Sequence, residues 1–237
     1  MNILLLGYGK MGKTIEAIAL KRGHSIASRI DNIEERNAFT RFHDVDVAIE
    51  FSQPEVAVDN LKFCFDHSIP VVCGTTGWLE QKSTVDAYCK KKEGALFQAS
   101  NFSLGVNLFF QLNEYLAKIM DRYNEYNVSI DETHHTQKKD APSGTAITLA
   151  EGILKNLHQK DQWKLGGTSQ GSEISIHSFR VDPDPGTHVI KYQSSVDEIE
   201  IKHKAHSREG FALGAVLVAE WIKGKKGVLT MKDFLGF

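Results

Sequence analysis

Nowhere does this chain reach the ~18 consecutive apolar residues that a membrane-spanning helix requires. Its N-terminal apolar run, ILLL at 3–6, is four residues long and glycine follows at once, which excludes a signal-peptide core. A cytoplasmic location is the expectation. Cysteine is scarce: Cys64, Cys73 and Cys89 show no CxxC spacing and cannot all pair, which argues against a disulfide scaffold or a structural zinc site. Cys64 and Cys73 lie in apolar runs and read as packed thiols of a reducing compartment. An excess of one charge is missing too. With 28 Lys and Arg against 30 Asp and Glu, the net charge of −2 offers no basic field to draw in nucleic acid or an anionic membrane. The basic runs KKK (90–92) and KGKK (223–226) are short and read as solvated helix ends or turns.

What is present begins with patterning. The first hundred residues alternate apolar runs, NILLL (2–6), VDVAIEF (45–51), IPVVC (69–73) and ALFQA (95–99), with helical segments at 10–22, 54–67 and 79–92, and HSIASRID (24–31) supplies the second strand. Continuous apolar runs suit strands covered on both faces, and strand–helix alternation implies a right-handed doubly wound parallel sheet. After Phe102 the pattern changes to an amphipathic helix at 104–120, an alternating strand at 126–133 and a helix at 145–158. Period-two alternation then fills 172–206, broken by DPDPG and SVD, before an alanine-rich helix at 211–224. The layout is α/β: a Rossmann-type domain of residues 1–103 and 210–237, and an α+β open mixed-sheet domain of residues 104–209.

LLLGYGKMGKTIEAIAL sets Gly7, Gly9 and Gly12 as G-x-G-x-x-G between a strand and a helix. In that context the first glycine permits the turn, the second lets backbone approach a pyrophosphate, and the third lets helix and strand pack closely. The pyrophosphate would sit at the helix N-terminus. Asp31, nineteen residues after Gly12, stands where an acid meets the adenosine ribose. A carboxylate favours an unphosphorylated ribose, while Lys10 and Arg36 offer cations for a phosphate, so NADH and NADPH both remain open. GTTG (74–77) follows the fourth strand at the edge where such sheets bind ligands, and ASNFSLG (99–105) joins the two domains.

The densest chemistry is ETHHTQKKDAPSGTA, residues 132–146. Adjacent histidines at a strand end point in different directions, and no carboxylate or cysteine stands at ligand spacing, so no metal is expected. Asp140 or Ser143 would cap the following helix, whose free N–H groups at Gly144 and Thr145 make an anion site beside His135, Lys138 and Lys139. That suits a substrate bearing carboxylates, with His134 and Lys138 available for proton transfer. His177, His188, His203 and His206 lie in alternating strands and read as solvent-facing or interface residues, and nothing selects Arg180 or Lys191 over a polar sheet face. Trp163 and Trp221 read as packing residues.

HHTQKKDAPSGTA resembles the signature of the dihydrodipicolinate reductase family, in which His-His-x-x-Lys-x-Asp-Ala-Pro-Ser-Gly-Thr recurs. The likeness continues through GYGKMG, GTTG, NFSLGVN and AHSREGFALGAVLVAEWI, in order along the chain. It implies NAD(P)H-dependent reduction of 4-hydroxy-tetrahydrodipicolinate, a cyclic dicarboxylate, in lysine and diaminopimelate biosynthesis. It implies His134 as the catalytic proton donor and acceptor, and Lys138 as a second donor that also contacts a substrate carboxylate. His135, Gly144 and Thr145 would bind the dicarboxylate. Gly7, Tyr8, Gly9, Lys10, Met11 and Gly12 would hold the pyrophosphate and Asp31 the adenosine ribose. Gly74, Thr75 and Thr76, with Ala99, Ser100, Asn101 and Phe102, would hold the nicotinamide end. It further implies a homotetramer joined through the open sheet; domain closure that excludes water during transfer would place hinges near 101–105 and 206–211. The chain departs from many members in a glycine loop one residue shorter and in Asp31-Asn32 where Glu-Arg is common.

Overall fold

A computed structural model describes residues 1–169, 171–207 and 209–237. The chain divides into two compact units, Met1–Ser103 with Glu209–Phe237, and Leu104–Arg208. The first unit opens with β1 (Asn2–Leu6), α1 (Lys10–Lys21), β2 (Ser25–Ile30), α2 (Ile33–Ala38), β3 (Val47–Glu50), α3 (Pro54–Asp66), β4 (Val71–Cys73), α4 (Lys82–Lys91) and β5 (Ala95–Gln98). The second holds α5 (Leu104–Met120), β6 (Asn127–His134), α6 (Gly144–Leu154), β7 (Gln162–Leu165), β8 (Glu173–Arg180), β9 (Thr187–Gln193) and β10 (Glu198–Lys204). The chain then re-enters the first unit through α7 (Glu209–Ile222), β11 (Gly227–Leu229) and α8 (Met231–Leu235).

The first unit is a six-stranded parallel sheet of order β11-β5-β4-β3-β1-β2. β3 and β4 are buried at every residue. Alternation along β1 sends Ile3 and Leu5 to one face, where they meet Ile15 and Ala19 of α1 and Ala215 and Val216 of α7. Leu4 and Leu6 go to the other, against Leu61 and Phe65 of α3 and Val85 of α4. Each such side chain taken fully out of water contributes roughly 1.5–3 kcal/mol, so both helical layers are held by the same strand. The order reverses between β1 and β3, and this switch point is where open α/β sheets leave a crevice at the carboxyl ends of the strands.

The second unit is a five-stranded mixed sheet of order β10-β9-β6-β8-β7, with β6–β8 and β7–β8 parallel and β6–β9 and β9–β10 antiparallel. Along β6, Val128, Ile130, Glu132 and His134 are buried, while Ser129, Asp131 and Thr133 are half-buried. The buried row continues an apolar cluster shared with Phe109 and Ala117 of α5 and Leu149 and Ile153 of α6. Two acid–base residues therefore extend a hydrophobic strand face at its carboxyl end.

Several short elements escaped the sequence reading. α2 has six residues, too few for helical periodicity, and is started by Asn32 Oδ1 accepting from the Glu35 N–H at 2.8 Å. β7 and β11 are edge strands of four and three residues that exist through their pairing with β8 and β5. The helix expected over 145–158 stops at Leu154, and Asn156 Nδ2 donates to the Gly152 carbonyl at 2.8 Å just beyond that end. Segment 79–92 splits into a 3-10 turn, Leu79–Gln81, and α4. Position 208, inside the expected hinge at 206–211, and position 170 lie outside the described residues.

Candidate active site

In the first unit the turn from β1 to α1 is tight. Gly7 has φ +90°, and a Cβ there would stand 2.2 Å from the Phe51 carbonyl oxygen; one on Gly12 would stand 2.4 Å from the Gly7 oxygen. Gly9 is different, with nothing within 4 Å of its Cβ position, so its backbone is open to an approaching anion at the start of α1. Asp31 Oδ1 accepts from the Tyr8 N–H at 2.7 Å, which ties the end of β2 to the loop. A cavity of about 280 Å³ beside them is lined by Gly7, Asp31, Asn32, Ser52 and Asn60. A second, of about 290 Å³, is lined by Met11, Phe51, Gly74, Thr75 and Thr76.

The donor set and the two cavities suit a dinucleotide lying across the switch point. Thr75 is buried and its Oγ1 accepts from the Ser52 N–H at 2.9 Å. Phe102 is buried against Phe51, with ring centroids 5.5 Å apart. Ala99 donates to the Cys73 carbonyl at 3.3 Å, and Ser100 is exposed. Lys10 is exposed on the first residue of α1, whereas Arg36 donates to Asn60 Oδ1 at 3.0 Å at the edge of the first cavity.

In the second unit Glu132 and His134, two residues apart on β6, share one face. Glu132 is wholly buried; Oε2 meets His134 Nδ1 and Oε1 accepts from Arg180 Nη2 at 3.0 Å. Burial pulls this carboxyl up, but the hydrogen bonds from His134 and Arg180 outweigh it and hold the group ionised, near 2. Arg180 Nη2 also donates to the Asp140 carbonyl at 2.6 Å, and Lys138 Nζ donates to both Asp140 carboxylate oxygens at 2.8 Å. Arg180 thus links the strand bearing His134 to the loop bearing Lys138.

Ser143 caps α6, its Oγ accepting from the Ala146 N–H at 3.2 Å, and the same oxygen lies 3.1 Å from His188 Nε2. His188 is 4% exposed and its ring meets His134 edge-on with centroids 5.2 Å apart. Burial, then the neighbouring His134 charge, pushes His188 down to about 4, so it is neutral at working pH. Gly144 is exposed with nothing within 4 Å of its Cβ position, leaving the first N–H groups of α6 approachable; Thr145 follows, half-buried. His135 sits half-buried beside His134.

Three expectations are corrected. His188 neither faces solvent nor lines an open surface; β9 pairs it with Glu132 across β6, on the covered face. Arg180, which β8 brings opposite His134, is selected after all by the Glu132 carboxylate. The statement that no carboxylate stands at ligand spacing also fails: Glu132, His134 and His188 each present a potential ligand atom, all within 4.8 Å of one another. Glu132 was legible through its two-residue spacing from His134 on a strand. His188 and Arg180 were not, because they arrive through sheet register. Lys191, by contrast, ion-pairs at 2.9 Å with Asp131, which is on the other face of β6.

A family model described as Dihydrodipicolinate reductase, N-terminus matches residues 1–102, and one described as Dihydrodipicolinate reductase, C-terminus matches residues 105–235. The chain belongs to the dihydrodipicolinate reductase family. A 4-hydroxy-tetrahydrodipicolinate reductase of Christiangramia forsetii is 52% identical, covering 99% of this chain and 98% of its own. One from Methanosarcina acetivorans is 34% identical over 96% of this chain and 86% of its own. Among solved structures, a dipicolinate-bound dihydrodipicolinate reductase from Paenisporosarcina sp. TG-14 covers 99% of both chains with a TM-score of 0.74 and 20% identity, a likeness of fold. As a member of the dihydrodipicolinate reductase family the chain is an oxidoreductase using NADH or NADPH, and among the described residues no helix is long and apolar enough to cross a membrane.

Proposed function

We infer that this chain reduces 4-hydroxy-tetrahydrodipicolinate to tetrahydrodipicolinate and water, with His134 as the proton donor, in lysine and diaminopimelate biosynthesis. The observation that carries the assignment of His134 is its ionised buried partner, Glu132, on the strand that leads into the helix start offering the Gly144 and Thr145 N–H groups. The reaction adds one hydride and one proton to the ring and loses water. The nicotinamide supplies the hydride when bound. The stretch Gly7–Gly12 would hold its pyrophosphate, Asp31 the ribose, and Gly74–Thr76 with Ala99–Phe102 the nicotinamide end.

The chain's own groups do the rest. Helix α6 presents N–H donors and the positive end of its dipole to one carboxylate, with His135 and Lys138 as further partners. Asp140 holds Lys138 in place until a substrate carboxylate competes for it. His134 delivers its proton from Nε2, the nitrogen turned away from Glu132. Clamping the carboxylate in this way orients the ring before transfer. Three buried, unpaired thiols support a cytoplasmic setting. A homotetramer formed through the open face of the second sheet is supported by Phe179 of β8, a large apolar side chain that the single chain leaves exposed.

The test is kinetic. His134→Gln and Lys138→Ala should lower kcat by about 10²-fold or more, while dissociation constants for NADH and NADPH stay near those of the parent. Equal losses in turnover and cofactor binding would remove the assignment of roles.

A further inference from the structure

We infer that Glu132 is a positioning residue that sets the tautomer of His134, with Arg180 as the anchor that orients it; the inference rests on the reading of His134 as the proton carrier. The geometry is specific. An ionised carboxylate accepts and cannot donate, so the hydrogen bond between Glu132 Oε2 and His134 Nδ1 places a hydrogen on Nδ1. The nitrogen left to exchange a proton is Nε2. Glu132 cannot swing away, because its other oxygen accepts from Arg180 at 3.0 Å and the side chain is wholly buried. Arg180 is fixed in turn by the Asp140 carbonyl at 2.6 Å.

The neighbouring groups agree with that assignment. His188, the other imidazole in contact, meets Ser143 Oγ at Nε2 and packs edge-on against the His134 ring, while the Glu132 oxygens are taken by His134 and Arg180. Gly186 lies on the Nε2 side: a Cβ at that position would stand 3.2 Å from Nε2. One nitrogen is thus engaged by a carboxylate, and the other is flanked by a residue with no side chain to cover it. When His134 gives up its Nε2 proton, the product is the neutral Nδ1–H ring that Glu132 already stabilises.

Arg180 makes the test sharp. In Glu132→Gln the guanidinium, a pure donor, takes the amide oxygen, which turns the NH₂ group toward His134 Nδ1. The ring then adopts the Nε2–H tautomer, and loss of the Nε2 proton would leave two donors facing each other. We expect kcat to fall about 10²- to 10⁴-fold, with little change in KM for either reactant or in cofactor affinity. Glu132→Asp keeps an acceptor-only group and should recover part of kcat.

The deciding experiment is ¹⁵N NMR of the full chain with labelled histidine, His134 being assigned by its loss in His134→Gln. The expected spectrum of the neutral ring shows Nδ1 protonated in the parent and Nε2 protonated in Glu132→Gln. An Nε2–H ring in the parent overturns the proposal, and that reading does not depend on Glu132→Gln folding. Kinetics separates the two levels of the argument. Full turnover in His134→Gln would remove the proton-carrier reading itself. A slow His134→Gln beside a fast Glu132→Gln would remove only the positioning role. Adding Glu132→Gln to His134→Gln should lower kcat no further; a full additional loss would mean that Glu132 acts otherwise than through the imidazole.

Discussion

Gly186 lies so close to His134 that a methyl group on it would stand 3.2 Å from the imidazole Nε2. Its φ of +149° lies in a region that side chains rarely adopt, so backbone and space both demand glycine here. Gly186→Ala should therefore crowd the proton-bearing edge of the ring. The expected loss in kcat is about 10- to 100-fold, as for an ångström-scale misplacement. Cofactor titration checks that binding of NADH is spared, since that site belongs to the first unit.

Acid should weaken the fold through His188. Its folded value of about 4 lies below the ordinary 6.5, so between these pH values the unfolded chain binds a proton that the folded chain refuses. This contribution is complete above pH 6.5 and is lost as pH falls toward 4, amounting to about 3 kcal/mol. Glu132, held near 2 against an ordinary 4.5, adds a second loss below pH 4.5. Chemical denaturation of His188→Gln across this range should show a flatter slope between pH 6.5 and 4 than the parent.

Ser143→Ala removes two bonds at once, the cap on α6 and the partner of His188 Nε2. Loss of an N-cap costs about 1 kcal/mol and an orphaned buried ring nitrogen about 1–3 more. A shift in denaturant midpoint equivalent to about 2–4 kcal/mol is expected. A change of a few tenths would mean that the hydroxyl bears little of either load.

Asp31 offers its carboxylate to the Tyr8 N–H at the edge of the ribose cavity, where Glu34 also lines the wall. Both acids oppose a phosphate on the ribose, and Arg36 is engaged with Asn60. NADH should bind more tightly than NADPH, and Asp31→Ser should narrow the gap by about 10-fold, since removing one charge is worth about 1.4 kcal/mol at this range. Fluorescence titration with each nucleotide reads this directly.

Much of this was legible in the chain. NILLL, VAIE and VVC read as buried strands because both faces of a parallel sheet are covered. The loop Gly7–Gly12 and the segment His134–Thr145 announced themselves by residue type and order. α2 and β11 were too short to show a period, and each depends on a local cap or an edge pairing. The support around His134 was hidden for another reason. Arg180 comes opposite His134 and His188 opposite Glu132 only when β8 and β9 pair with β6, across more than forty residues of sequence. Register is a tertiary outcome, and no local pattern encodes it.

The central claim is the reaction itself, and a coupled assay tests it most directly. Dihydrodipicolinate synthase, pyruvate and aspartate semialdehyde generate the substrate in place, and oxidation of NADH and of NADPH is followed separately. The account predicts turnover that depends on the synthase, with the larger specificity constant for NADH. Folded protein that binds both nucleotides and oxidises neither would contradict it.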